Sequence, residues 1–123
     1  MKKIIVALLT LTVFTGSALA ATGGCVGVHN GKRIVFNGLI LDPTNKNTAE
    51  GYISVGGRRV ADFDGEQLKI NYIFQTFKAR NNRGDFVEGR VTNMFRKKGV
   101  IKRLYVRGFG IDYRNIQMQC WQN

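Results

Sequence analysis

Apolar and polar residues alternate along most of this chain, in short runs separated by glycine-rich or polar turns. Alternation with a period of two is typical of β-strands, and the 3.6-residue period of an amphipathic helix is hard to find. The pattern predicts an all-β domain of about seven to eight strands. We expect them near residues 25–30, 32–41, 50–55, 58–63, 67–78, 86–95, 100–109 and 111–121.

Turn signals between these runs favour successive antiparallel hairpins. Gly56-Gly57 is a two-residue hairpin turn, Asp64-Gly65-Glu66 predicts another, and residues 81–84 are polar and turn-forming. The strand at 32–41 is either buried on both sides or bulged at Gly38. A meander of this kind closes into a small barrel or forms a two-sheet sandwich, and the sequence favours the barrel.

The first twenty residues have the pattern of a cleaved secretory signal peptide. Lys2 and Lys3 precede an apolar run over residues 4–14, and Ala18-Leu19-Ala20 is a small-residue cleavage site. The run is too short to span a bilayer, so no transmembrane segment is predicted. We therefore expect a single β-domain at residues 21–123, located in the bacterial periplasm or secreted.

Two cysteines, Cys25 and Cys120, lie near opposite ends of the mature chain. In an exported protein such a pair predicts one disulfide, which would hold the first strand beside the last. Lipidation of Cys25 is the alternative, although residues 22–24 lack the large aliphatic residue that usually precedes a lipidated cysteine.

The positive charge is concentrated in one third of the chain. Loss of Lys2 and Lys3 with the leader leaves 17 basic and 8 acidic side chains, a net charge of +9. Residues 78–114 contain eleven basic and three acidic side chains, a net charge of +8, whereas residues 21–77 carry only +1. Such asymmetry favours an anionic macromolecule, an anionic membrane surface or an acidic protein as partner, although a basic surface can also be merely solvated.

Within that segment, aromatic and basic residues alternate. In one continuous strand, Arg103, Tyr105, Arg107 and Phe109 would share a face, as in a stacking platform with flanking cations. The alternative is a barrel exterior on which long arginine stems cover neighbouring rings. The predicted binding residues are Arg90, Arg96, Lys97, Lys98, Arg103, Tyr105, Arg107 and Phe109.

Catalytic chemistry has little support in the sequence. The mature chain has one serine, Ser54, and one histidine, His29, in no pattern typical of a hydrolase triad or a zinc site. No catalytic residue, metal or cofactor is predicted. A small basic ribonuclease is the alternative, with His29 and either Glu88 or Glu66 as acid and base. Arg83-Gly84-Asp85 matches an adhesion tripeptide and is also ordinary turn chemistry.

In its size, leader, single disulfide and all-β pattern, the chain resembles the small periplasmic lysozyme inhibitors and other periplasmic immunity proteins, although it shares no specific motif with them. The resemblance implies a protein that blocks an enzyme with a loop. A net charge of +9 makes the basic animal lysozymes poor partners. The sequence thus predicts a non-catalytic, exported binding protein whose basic hairpin engages an anionic macromolecule or an acidic protein.

Overall fold

The computed structural model describes residues 21–44, 46–92 and 98–123, which form an eight-stranded antiparallel barrel. Each strand pairs with the next along the chain, and the last pairs with the first, so the predicted all-β meander and its closure into a barrel are confirmed. The predicted signal peptide lies outside the described residues. The strands are β1 (Ala21–His29), β2 (Lys32–Leu41), β3 (Thr48–Val55), β4 (Arg58–Asn71), β5 (Thr76–Arg80), β6 (Phe86–Val91), β7 (Lys98–Val106) and β8 (Ile111–Gln122).

The seam between β1 and β8 is held by the predicted disulfide. Cys25 lies directly opposite Cys120 in the strand register, and the two are covalently linked across 95 residues of sequence. Beside it, the backbone N–H of Asn123 donates to the carbonyl oxygen of Thr22 at 2.7 Å. The disulfide therefore joins the first strand to the last, as the cysteine positions predicted.

Apolar side chains fill the interior because alternate positions of each strand point inward. The Phe36 ring lies near the centre, with its centroid 5.8 Å from that of Phe63 and 6.0 Å from that of Phe77. These three rings come from β2, β4 and β5, so one aromatic cluster connects these three strands. Other fully buried side chains are Ile34, Leu39, Ile53, Val87, Val91, Ile101, Leu104, Val106 and Ile116.

The predicted division of residues 58–78 into strands is wrong. Residues 64–66 do not turn the chain: β4 continues through them with a bulge, because Glu50 pairs with Asp64 whereas Ala49 pairs with Glu66. The extra residue is Gly65, with a φ of +89°. The run at residues 67–78 is not one strand, since it turns at residues 72–75 between β4 and β5. The predicted bulge at Gly38 is present in β2.

The turn between β5 and β6 is organised by a buried carboxylate. Asp85 has no exposed surface, and it accepts hydrogen bonds from the Asn81 side-chain amide at 2.9 Å and from the Arg107 backbone N–H at 2.7 Å. The Asn81 amide also donates to the carbonyl oxygen of Asp62 in β4, at 2.7 Å. Because its carboxylate is enclosed, Asp85 is not presented as an adhesion motif would require; it braces three connected elements.

An up-and-down barrel gathers its connections at two ends. The connections at residues 30–31, 56–57, 81–85 and 107–110 meet at one end, which we call the turn end. The connection between β4 and β5 lies at the opposite end, where β2 and β6 also end; we call it the loop end. Any binding surface must therefore lie on the turn end, on the loop end or on the outer wall between them.

Candidate binding surface on the barrel exterior

Outward-facing positions of neighbouring strands bring basic residues together on one side of the barrel. The register places Lys78 beside Glu88, Glu88 beside Arg103, and Arg103 beside Arg114. Adjacent strands are about 4.8 Å apart, so these side chains form one continuous row. We call this surface the cationic wall; its cations are Lys69, Lys78, Arg80, Arg90, Lys98, Lys102, Arg103 and Arg114, and its carboxylates are Glu88 and Asp112.

Two aromatic rings lie in the next row of the wall, between arginines. Phe86 stacks on Tyr105 with ring centroids 5.5 Å apart. The guanidinium groups of Arg80 and Arg103 each lie 5.0 Å from the Phe86 ring centroid. As a result, Phe86 keeps only 8% of its surface exposed although it faces outward. This contact corresponds to the alternative in which arginine stems cover aromatic rings, and it orients the two guanidinium groups.

Arg103 is held by a carboxylate as well as by the rings. Its Nε and Nη2 atoms donate to the two oxygens of Asp112, each at 2.9 Å. This fork raises the pKa of Arg103 above its usual value, and the same hydrogen bonds lower the pKa of Asp112. The donor fork of Arg103 is thus already occupied, so this residue orients its neighbours more than it offers a free charge.

Other cations of the wall have no such partner. Lys69, Arg90 and Lys102 are exposed and form no ion pair with any residue that the structure describes. Lys78 reaches Glu88 only at 3.9 Å. An open groove of about 400 Å³ runs beside Lys69, Lys78 and Lys102. Three accessible lysine ammonium groups therefore border a depression in the outer wall.

The predicted binding residues separate into three groups. Arg90, Lys98, Arg103 and Tyr105 lie on the cationic wall. Arg107 and Phe109 do not continue that face, because β7 ends at Val106 and both lie in the connection to β8. Arg96 and Lys97 lie outside the described residues.

The strand ends early because of a glycine-containing turn. Gly108 has a φ of +87°, which side-chain-bearing residues rarely adopt and which reverses the chain. Phe109 consequently lies at the turn end, where the Arg58 guanidinium is 5.0 Å from its ring centroid. The predicted four-residue face is thus divided between the wall and the turn end.

Several wall residues were not singled out from the sequence. Lys69, Lys78, Arg80, Phe86 and Arg114 join the surface through cross-strand register, and Lys102 joins it at the register shift in β7. The one available signal was the alternation of Lys78 and Arg80 at the start of the basic segment. Register itself depends on bulges, such as the one between Glu88 and Gly89, which the sequence did not reveal.

The groups named for the ribonuclease alternative have separate contacts. The His29 ring packs against the Tyr113 ring, with centroids 4.3 Å apart. Glu88 faces Lys78, and a Glu66 carboxylate oxygen accepts from the backbone N–H of Asp64 at 2.6 Å. No direct His29–carboxylate pair is thus formed among the described residues, and the surface that the structure does assemble is the cationic wall.

The described ranges contain no cluster of three or more histidine, cysteine or acidic side chains placed to bind a metal. Nor does any helix in those ranges have the length and apolar character needed to cross a bilayer. In comparisons with known proteins, the chain matches no family model, no curated protein and no solved structure.

Proposed function

We propose that this protein is an exported binding protein whose cationic wall engages an anionic macromolecule or an acidic protein. The observation that carries the proposal is the set of eight cations against two carboxylates on one side of the barrel. The predicted leader and the disulfide support an extracytoplasmic location, since disulfides persist in oxidising compartments.

The arrangement of charge is costly to the fold itself. Lys69 and Lys78 are direct cross-strand neighbours, and like charges at such positions destabilise a sheet. A wall serving only solubility would do as well with mixed charges. Repulsion between these side chains supports the proposal that an oppositely charged partner stabilises this surface.

Binding would begin with electrostatic steering. The neighbouring hairpin of β3 and β4 carries Glu50, Asp62, Asp64 and Glu66, so positive potential is stronger on one side of the barrel. One-sided charge orients a partner before contact and raises the association rate. Lys69, Lys78 and Lys102 would then contact anionic groups along the groove, with Arg90 adding a contact elsewhere on the wall. Arg80 and Arg103 would stay fixed over the Phe86 ring.

The test compares two triple charge reversals. The wall variant is Lys69→Glu, Arg90→Glu and Lys102→Glu; the matched control is Lys32→Glu, Arg33→Glu and Arg83→Glu, which makes the same net change with exposed residues at the turn end. Heparin is the soluble polyanionic probe, with affinity measured by titration at several salt concentrations. Circular dichroism verifies folding of both variants.

We expect the wall variant to lose at least about tenfold in heparin affinity and to lower the salt slope by roughly three, because each lost contact removes released counterions. The control should retain most of the affinity. Equal losses of heparin affinity in both variants would show that net charge alone drives binding. Wild-type protein that does not bind heparin would contradict the proposal.

A further inference from the structure

The hairpin tip between β4 and β5 displays three consecutive large apolar residues. Tyr72, Ile73 and Phe74 are 55%, 86% and 63% exposed. The other large apolar side chains that are strongly exposed in the described chain, Val28 and Phe109, lie elsewhere. Scattered apolar residues on a surface need no explanation, but a contiguous exposed group marks a contact site.

The tip is held in a fixed shape by polar contacts. The Asn71 side-chain oxygen accepts hydrogen bonds from the backbone N–H groups of Ile73 at 3.0 Å and Phe74 at 3.1 Å. The Tyr72 hydroxyl accepts from the Asn47 side-chain amide at 3.4 Å. These contacts keep Ile73 and Phe74 projecting at the loop end, so presenting them costs little further ordering on binding.

Cations lie behind this tip on the outer face of the barrel. Arg90 lies in register with Thr76, the first residue after the turn, and Lys69 and Lys78 form the next outward-facing row. Two residues along a strand span about 7 Å, so the cations lie roughly 7–13 Å behind the tip. Lys46 and Lys98 are also exposed at the loop end.

This spacing fits the cross-section of an anionic lipid surface. Apolar side chains of a peripheral protein enter the boundary between headgroups and acyl chains by about 5–10 Å, while basic side chains stay at the level of the phosphates. Tyrosine is enriched at the same depth, because its ring is apolar and its hydroxyl polar. A protein partner would have to match both an apolar protrusion and a row of cations behind it.

We propose that the Tyr72–Phe74 tip inserts into the headgroup region of an anionic bilayer, with Lys69, Lys78 and Arg90 contacting lipid phosphates. The inference rests on the proposed function, since it uses the cationic wall, and it specifies the partner as a lipid surface. Neither element binds strongly alone: the apolar tip is small, and the cations are screened by salt. Together they give attachment that depends on both lipid charge and the tip.

The experiment measures cosedimentation of the mature protein with vesicles of phosphatidylcholine alone and of phosphatidylcholine with phosphatidylglycerol. The tip variant is Ile73→Ser with Phe74→Ser. The control is Val28→Ser, which also removes an exposed apolar side chain but near the turn end. Heparin titration of every protein runs in parallel, and thermal melting verifies folding.

We expect wild type and the Val28→Ser variant to bind only the anionic vesicles. The tip variant should lose at least tenfold in vesicle affinity and retain its heparin affinity, because the removed surface is apolar. That pattern supports the inference.

Other patterns overturn it. Equal vesicle binding by wild type and the tip variant would show that the tip does not insert. Equal binding to both lipid compositions would show that binding does not depend on lipid charge. Heparin binding without vesicle binding would overturn the lipid surface as the partner and leave the proposed function standing. Failure to bind either probe would overturn the proposed function as well.

Discussion

Two neighbouring regions of the same barrel carry opposite charge on the outside and similar packing on the inside. The hairpin of β3 and β4 presents Glu50, Asp62, Asp64 and Glu66 against Arg58 and Arg59. The wall, formed mainly by β5 to β8, presents eight cations against Glu88 and Asp112. Beneath both lies one apolar core, in which Phe36 contacts a ring from each side. The charge on the outside of the barrel can therefore differ between the two regions without a change in the packing of the core.

Both regions also keep charges that no ion pair satisfies. On the acidic side, Asp62 pairs with Arg59 at 3.5 Å, whereas Glu50, Asp64 and Glu66 have no ionic partner in the part of the chain that the structure describes. On the cationic side, Arg103 is fixed by Asp112, yet Lys69, Arg90 and Lys102 have no ionic partner among the described residues. What differs is thus the sign of the unpaired charge and its amount, which is larger on the wall.

The largest expected effect on stability follows from removal of the disulfide, because it joins β1 to β8 where the barrel closes. Replacing Cys25 and Cys120 with alanine should lower the free energy of unfolding by about 4–5 kcal/mol, because the unfolded chain regains the freedom of a loop of 95 residues. Urea unfolding followed by circular dichroism measures the change, with reduced wild type as control. A loss below 1 kcal/mol would show that strand pairing alone secures the seam.

A smaller effect is expected at Asp85, whose turn links the cationic side to β4. Asp85→Ala removes the acceptor of the Arg107 N–H and of the Asn81 amide, which should destabilise the protein by about 1–3 kcal/mol. Heparin affinity should stay unchanged, since the wall cations are untouched. Thermal melting and heparin titration test the two halves of this prediction, and an unchanged melting temperature would contradict the bracing role; Asp85→Asn, which keeps one acceptor oxygen, should fall between.

The smallest expected effect is a change in the free energy of unfolding that has opposite sign in the two regions. Glu50 lies directly opposite Asp64, so Glu50→Gln should stabilise the protein by about 0.2–1 kcal/mol at low salt. The matched change Glu88→Gln, between Lys78 and Arg103, should destabilise it, because it removes the carboxylate that separates two cations. Urea unfolding at low and high salt measures both. Shifts of the same sign would mean that charge is not distributed as the register indicates.

The fold was more accessible from sequence than the surface was. The strand alternation and the paired cysteines predicted the barrel and its disulfide, and both are confirmed. The turn at Asp64-Gly65-Glu66 was wrong because an Asp-Gly pair signals a tight turn, while a glycine with positive φ also suits a bulge. The real turn at residues 72–75 lacks glycine and proline; it depends on the Asn71 side chain and a positive φ at Gln75.

By itself, the sequence determined the strand pattern, the cysteine pair and the concentration of charge in residues 78–114. These are properties of neighbours along the chain, which a two-residue period or a count of charges can reveal. Only the tertiary structure decided that Arg103 meets Asp112, that Lys69 joins the wall, and that Ile73 stands at an exposed tip. Those contacts depend on register and bulges, which follow from packing of the whole barrel and not from local sequence.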